Sequence, residues 1–231
     1  MLVDAILVAQ GAEYKSVYKG LNRVAVPTPP VFPIPMGLSA LTKYLEKWLQ
    51  AGHLSHHPQP RVLLMGLCGS LSPRYSVGEA VLYRSCVYRS EENKKTSELL
   101  CHQELTEILH QKLQDRVLTG IGLTSDRLIY SGSEKLLLGQ AYGADVVDME
   151  GFAALEVLSE LGIAVGMLRV ISDDAHHNIP NLTHAFNNGS LQALPLAMGL
   201  LRQPIAATRL VFGSLRGLHI IQDLTTFLLS S

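Results

Sequence analysis

Two carboxylates, Glu150 and Asp173, stand where this chain can use them for chemistry. Each closes an apolar run. Val146-Val147 leads into Asp148-Met149-Glu150-Gly151, and residues 163–171 lead into Ser172-Asp173-Asp174. Between them Phe152, Leu155, Val157, Leu158 and Leu161 form a wide apolar face at helical spacing, and Gly162 supplies a stop. The reading is a β-α-β unit with an acid at the C-terminal end of each strand, the edge at which α/β sheets bind ligands. Acids so placed suit cleavage of an N-glycosidic bond, which builds oxocarbenium character on the sugar and electron density on the departing base. One acid protonates or hydrogen-bonds the base. The other, ionised, grips the sugar hydroxyls, and its place at a helix start favours the negative charge. Two plainer roles stay open: acids at strand ends serve as helix caps, and Asp173-Asp174 with His176-His177 offers metal ligands, although crowded ones.

The elements that must carry these acids read in order along the chain. Residues 5–9 form a buried strand, and Gly11 permits a tight turn out of it. Glu13, Tyr14, Lys15 and Ser16 follow, as a solvated first helical turn or as a loop facing a ligand. Five prolines between residues 23 and 35 predict an edge strand, an extended loop, or both. Residues 37–50 predict an amphipathic helix, and His53, His56 and His57 fall in a surface loop without carboxylates. Residues 61–67 predict a second buried strand that delivers Gly66-Leu67-Cys68-Gly69-Ser70, where turned amides can cradle an anion or a sugar hydroxyl. A turn at Gly78 precedes another strand, and residues 89–97 read as a charged loop. Then come a helix at 104–113, a strand at 117–123, and a helix at 133–141 capped by Ser133. A polar loop at 176–190 leads to three apolar helices, 191–201, 204–215 and 218–229. Strands alternate with helices throughout, so the fold class is α/β.

Composition narrows the function. A chain of 231 residues with 47% hydrophobic content predicts one domain, residues 1–231, with 182–231 an apolar helical C-terminal segment. A net charge of -1 gives no electrostatic case for nucleic acid or an anionic membrane surface. Cys68, Cys86 and Cys101 have neither metal-site spacing nor an even count, as expected of thiols in a reducing cytoplasm. No basic leader opens the chain, and no apolar run reaches the roughly 20 residues of a membrane helix. The expectation is a soluble cytoplasmic protein.

Val147-Asp148-Met149-Glu150-Gly151 followed by Val170-Ile171-Ser172-Asp173 resembles the paired signature of the nucleoside phosphorylase/nucleosidase superfamily. That family includes purine and uridine phosphorylases and the methylthioadenosine/S-adenosylhomocysteine nucleosidases. Gln10-Gly11-Ala12 and the Gly66 to Leu71 turn, with Val77-Gly78-Glu79 after it, match in the same order, so the resemblance spans residues 1–180. It implies a three-layer αβα sandwich with a mixed central sheet, assembled as a homo-oligomer. It implies no cofactor, with phosphate as the one candidate co-substrate. Carried over, Glu150 binds the ribose 2′- and 3′-hydroxyls, Met149 packs on the sugar, and Asp173, beside Ser172, is the general acid at purine N7. Gly11 and the turn containing Gly66, Cys68 and Gly69 would floor the sugar or nucleophile site. Ser125, Leu128 and Ile129 fall where the family stacks the base.

The departures are as informative. Leu64 and Leu67 stand where bacterial phosphorylases hold phosphate with arginine and serine. Counting without gaps from Gly11, Ser16 falls at the water-activating glutamate of the nucleosidases, with Glu13 three residues earlier. Leu128 replaces an aromatic stacking residue. Ile179-Pro180-Asn181-Leu182, an Asn188-Gly189 turn and Leu200-Leu201-Arg202-Gln203-Pro204 are similar to the hopanoid-associated branch, implicated in removing adenine from an adenosylated polycyclic lipid. Val31, Phe32, Ile34, Met36 and the leucine-rich tail fit a lipid-like substituent, and equally a core or a subunit interface. The expected activity is cleavage of a purine nucleoside or adenosyl derivative, hydrolysis ahead of phosphorolysis. The alternatives are base removal from an adenosylated lipid and a non-catalytic nucleoside-binding protein.

Overall fold

The computed structural model describes residues 2–90, 94–182, 185–187 and 190–230. The Asn188-Gly189 turn read from the sequence lies outside them. Strand β1 (Ala5–Ala9) is buried along its whole length. Its side chains alternate between two apolar clusters, Ala5 and Leu7 in one, Ile6 and Val8 in the other. Strand β3 (Arg61–Ser70) repeats the pattern, with Val62 and Leu64 opposite Leu63 and Met65. A strand apolar on both sides must be covered on both sides, which is the physical origin of three layers. Helices α2 (Leu38–Gln50) and α5 (Gly151–Ser159) bury Leu41, Leu45, Phe152 and Leu155 in the first cluster. Helices α1 (Ala12–Leu21), α3 (Gln103–Leu113) and α7 (Pro204–Leu229) bury Val17, Leu109 and Leu224 in the second.

The sheet is mixed, as the expected fold class requires. β1 pairs in parallel with β3 and with β2 (Val31–Ile34), whose Pro33 sits at the sheet edge where a missing N–H is tolerated. β3 runs parallel to β8 (Ala164–Asp173), and β8 runs antiparallel to β4 (Ala80–Arg89). β4 is parallel to β6 (Leu118–Thr124), and β6 to β7 (Val146–Asp148). β7 then returns antiparallel to β3 at Gly69 and Ser70, closing a ring β3-β8-β4-β6-β7. That closure brings the ends of β3, β7 and β8 together.

Several details depart from the sequence reading. Residues 66–70, expected as a turn after the strand, instead complete β3, and the expected polar loop at 176–190 holds a short antiparallel pairing of Phe186–Asn187 with Ser190–Leu191. Part of the charged loop is β5 (Thr96–Leu100), paired antiparallel to β4, with Leu99 packed on the core. Helix α4 (Gly132–Tyr142) is capped by Ser131, not Ser133: the Ser131 hydroxyl accepts from the Glu134 amide. The last two expected helices are one, because α7 runs unbroken through Gly213 and Gly217. Those glycines serve close approach rather than termination. A Cβ at Gly213 would collide with the Ser172 carbonyl oxygen, and one at Gly217 would lie 2.6 Å from Leu67 Cδ2. Gly213→Val should therefore lift α7 from the strand ends and cost roughly 1–3 kcal/mol of stability, read as a lower urea midpoint.

Candidate functional site

A cavity of about 410 Å³ opens at the C-terminal ends of β1, β3, β7 and β8. Glu13, Cys68, Gly69, Leu128, Met149, Glu150, Ser172 and Asp173 line it, so one site gathers eight of the residues singled out by sequence. The others sit apart from its wall. Gly11 makes the turn between β1 and α1 at φ 103°, a conformation that favours glycine. Ser16 is buried on α1, Ser125 closes a local turn with Arg127, and Ile129 packs with Leu123 and Val147. Gly66 lies beneath the cavity. A Cβ there would strike both the Arg169 guanidinium and the Glu13 carboxylate, so glycine is what lets these two groups cross the strand.

Glu13 comes from the first turn of α1, and its Oε2 accepts from the Leu67 amide at 2.7 Å. The residue borders the cavity while its carboxylate is enclosed by protein. That burial pushes its pKa up to about 7, against the lowering effect of Arg169 and the Leu67 amide. Glu150 opens α5; its Oε1 accepts from the Gly37 amide at 3.0 Å and its Oε2 lies 3.4 Å from Arg169 Nη2. The helix start was expected to keep Glu150 charged easily. Burial outweighs it: the Glu150 pKa is raised, with Arg169 only partly offsetting the desolvation.

Arg169, on β8, is 1% exposed. Its Nη2 also lies 3.2 Å from Asp148 Oδ2, a charge contact rather than an aligned hydrogen bond, since that oxygen and Arg169 Nε are unpartnered. Burial works against the charge, but Asp148 and Glu150 push the Arg169 pKa up. Asp148 is itself fixed by the Thr124 hydroxyl at 2.8 Å and the Gly151 amide at 3.0 Å. Arg169 was missed in the sequence, although a lone arginine inside the run GMLRVI is a signal. A charge in a buried strand needs carboxylates; Asp148 ends the preceding strand and Glu150 opens the helix after it.

Asp173 is held from both sides. Its Oδ2 pairs with Lys135 Nζ, and its Oδ1 accepts from the Ser172 hydroxyl at 2.6 Å. Lys135, on α4, is fully buried and also donates to the Asp174 carbonyl at 3.0 Å. Nothing in the residues around Lys135 announces this. Asp174, read as a neighbour of Asp173, turns away: its carboxylate accepts from the His176 and His177 amides and meets the His177 ring. Among the described residues no three His, Cys, Asp or Glu side chains are gathered for a metal.

The sequence profile described as the Phosphorylase superfamily matches residues 48–194, more than half of the chain. The chain belongs to the phosphorylase superfamily. It is an enzyme of the nucleoside phosphorylase and nucleosidase kind. The futalosine hydrolase of Helicobacter pylori superposes with a TM-score of 0.70 at 14% identity, covering 97% of this chain and 95% of that one. The 5′-methylthioadenosine/S-adenosylhomocysteine nucleosidase of the same organism superposes at 0.68 with 15% identity, covering 95% and 94%. The corresponding nucleosidase of Campylobacter jejuni gives 0.62 at 14% identity, covering 94% and 97%. At these identities the likeness speaks for the fold. No curated protein matches the chain.

Arg169→Met should leave the Asp148, Glu150 and Glu13 carboxyls without their shared cation, costing about 3–5 kcal/mol in urea unfolding at pH 8. Protonated carboxyls need no partner, so the deficit should shrink as the pH falls toward 5.

Proposed function

We propose that this enzyme hydrolyses the N-glycosidic bond of a purine nucleoside or adenosyl derivative. The observation that carries the reading is the convergence of Glu13, Glu150 and Asp173 on one cavity in three different environments. Glu150 accepts hydrogen bonds from the ribose hydroxyls and holds the sugar. Asp173, fixed by Lys135 and Ser172, meets N7 of the base and hands it a proton as the bond breaks. Glu13 accepts a proton from the water that attacks C1′. One of its oxygens is held by the Leu67 amide, and its pKa of about 7 keeps a working fraction ionised near neutrality.

Water is favoured over phosphate by the charges around the cavity. The buried cations among the described residues are both engaged, Arg169 by Asp148 and Glu150 with Glu13 alongside and Lys135 by Asp173, so an incoming anion meets carboxylates. Leu64 lies in the apolar core, and the Leu67 amide is spent on Glu13. A second reading concerns the 5′ side. Ile179, Leu182, Leu196, Leu200 and Leu210 make much of the wall opposite the acids. That wall favours an adenosyl derivative with an apolar substituent, including the adenosylated lipid that the tail resembles.

Chromatography of adenosine, methylthioadenosine, S-adenosylhomocysteine and inosine should show free base and a free sugar without phosphate. Strict phosphate dependence, or silence across substrates with and without apolar 5′-groups, would overturn the reading; silence with retained adenosine binding would point to a non-catalytic binder. Each methylene buried at the 5′ position should raise kcat/KM about fourfold. Asp173→Asn and Glu13→Gln should each lower kcat by about 10²–10⁴. Because Glu13 works as a base, the wild-type rate should fall as pH drops below about 7, the limb that Glu13→Gln removes.

A further inference from the structure

Helix α6 (Ala193–Arg202) and the first half of α7 roof the cavity, and their outer side is apolar as well. Leu194, Met198 and Leu201 fall at i, i+4 and i+7, and α7 continues the stripe with Ile205, Phe212 and Leu215. These six are 73%, 47%, 80%, 73%, 69% and 58% exposed; Leu215 also edges the cavity, and Phe212, with Arg209 and Arg216, edges the adjoining cleft that reaches Asp173. Arg202, Arg209 and Arg216, all exposed, recur every seven residues. On α7 this spacing sets Arg209 and Arg216 on one face, next to Ile205 and Phe212. No aspartate or glutamate occurs between Asp174 and Asp223. The net charge of -1, which spoke against an anionic surface, therefore conceals a segment whose fixed charges are all positive.

We propose that the outer face of α6 and α7 docks on an anionic phospholipid surface. Exposed leucine, isoleucine and phenylalanine beside arginine on one helical face is the composition of an interfacial helix, in which apolar side chains enter the acyl boundary and cations meet the headgroups. A second copy of this chain fits less well, because a twofold pairing of the same face brings together two sets of arginines with no acidic side chain on either segment to neutralise them. No helix among the described residues is long and apolar enough to cross a membrane, so the arm lies on the surface. Leu196 and Leu200 of α6 and Leu210 of α7 line the cavity, so docking would bring its roof to the lipid interface.

Vesicle flotation of the full chain tests this independently of any catalysis. The protein should float with mixed phosphatidylglycerol and phosphatidylcholine vesicles, and far less with phosphatidylcholine alone. L201S/I205S/F212S should weaken partitioning about a hundredfold. R202Q/R209Q should weaken it about thirtyfold on anionic vesicles and hardly at all on neutral ones. Circular dichroism should show both variants as helical as the wild type. Absence of flotation, equal flotation on neutral lipid, or equal flotation by the variants overturns the proposal. So does a dimer in sedimentation velocity that F212S dissolves while vesicles are ignored, since the face would then belong to a second copy.

Discussion

A guanidinium buried in a β-strand is the constraint that the site depends on. Arg169 has given up its water, and only nearby carboxylates make that tolerable. Asp148 supplies one from the end of β7, Glu150 another from the start of α5, and Glu13 adds a third acid from α1. Burial lifts Glu13 and Glu150 above the ordinary carboxylate range, and one cation shared among three acids offsets that only in part while each acid's carboxylate neighbour adds to it. Lys135 does for Asp173 what Arg169 does for the others. The acids thus fall into two groups, each with its own buried cation, one at the sugar and water side of the proposed site and one at the base side.

The sheet makes this balance possible. Because β7 returns to β3 while β8 also pairs with it, Glu150 and Asp173 come from strands that flank one central strand. At Gly69 a Cβ would fall 2.8 Å from the Asp173 carboxylate, so the bareness of β3 near its end also belongs to the site. The glycines between Gly66 and Ser70 read in the sequence as a turn open to a ligand, but they lie within β3. Gly66 and Gly69 instead make room for the protein's own charged groups.

The fold class, most strands and the two acids were legible because they rest on local pattern: apolar runs, a helical face, acids at strand ends. Glu13 was legible only in part. Counting from Gly11 without gaps pointed to Ser16, yet what places a carboxylate is the direction of the helix start over Gly66, which no count contains. Lys135 was invisible, since its partner lies 38 positions along the chain and its neighbours read as a plain helix. Helix α7 was misread for a similar reason. A glycine in a helical run looks like a stop until the surface it packs against is known.

Helix α7 also ties together two parts of the molecule that carry acids of the proposed site. Near its C-terminal end Thr225 packs against Gly20 of α1, and the Thr226 hydroxyl donates to the Gly20 carbonyl at 3.0 Å. Nearer its start, Gly213 rests on the backbone of Ser172, next to Asp173. A single unbroken rod therefore bears on the helix that carries Glu13 and on the strand end that carries Asp173. Both contacts are close approaches at glycines, so a bulky molecule that raised the roof would load the same rod against α1. Height of the roof and spacing between Glu13 and Asp173 would then be mechanically one variable.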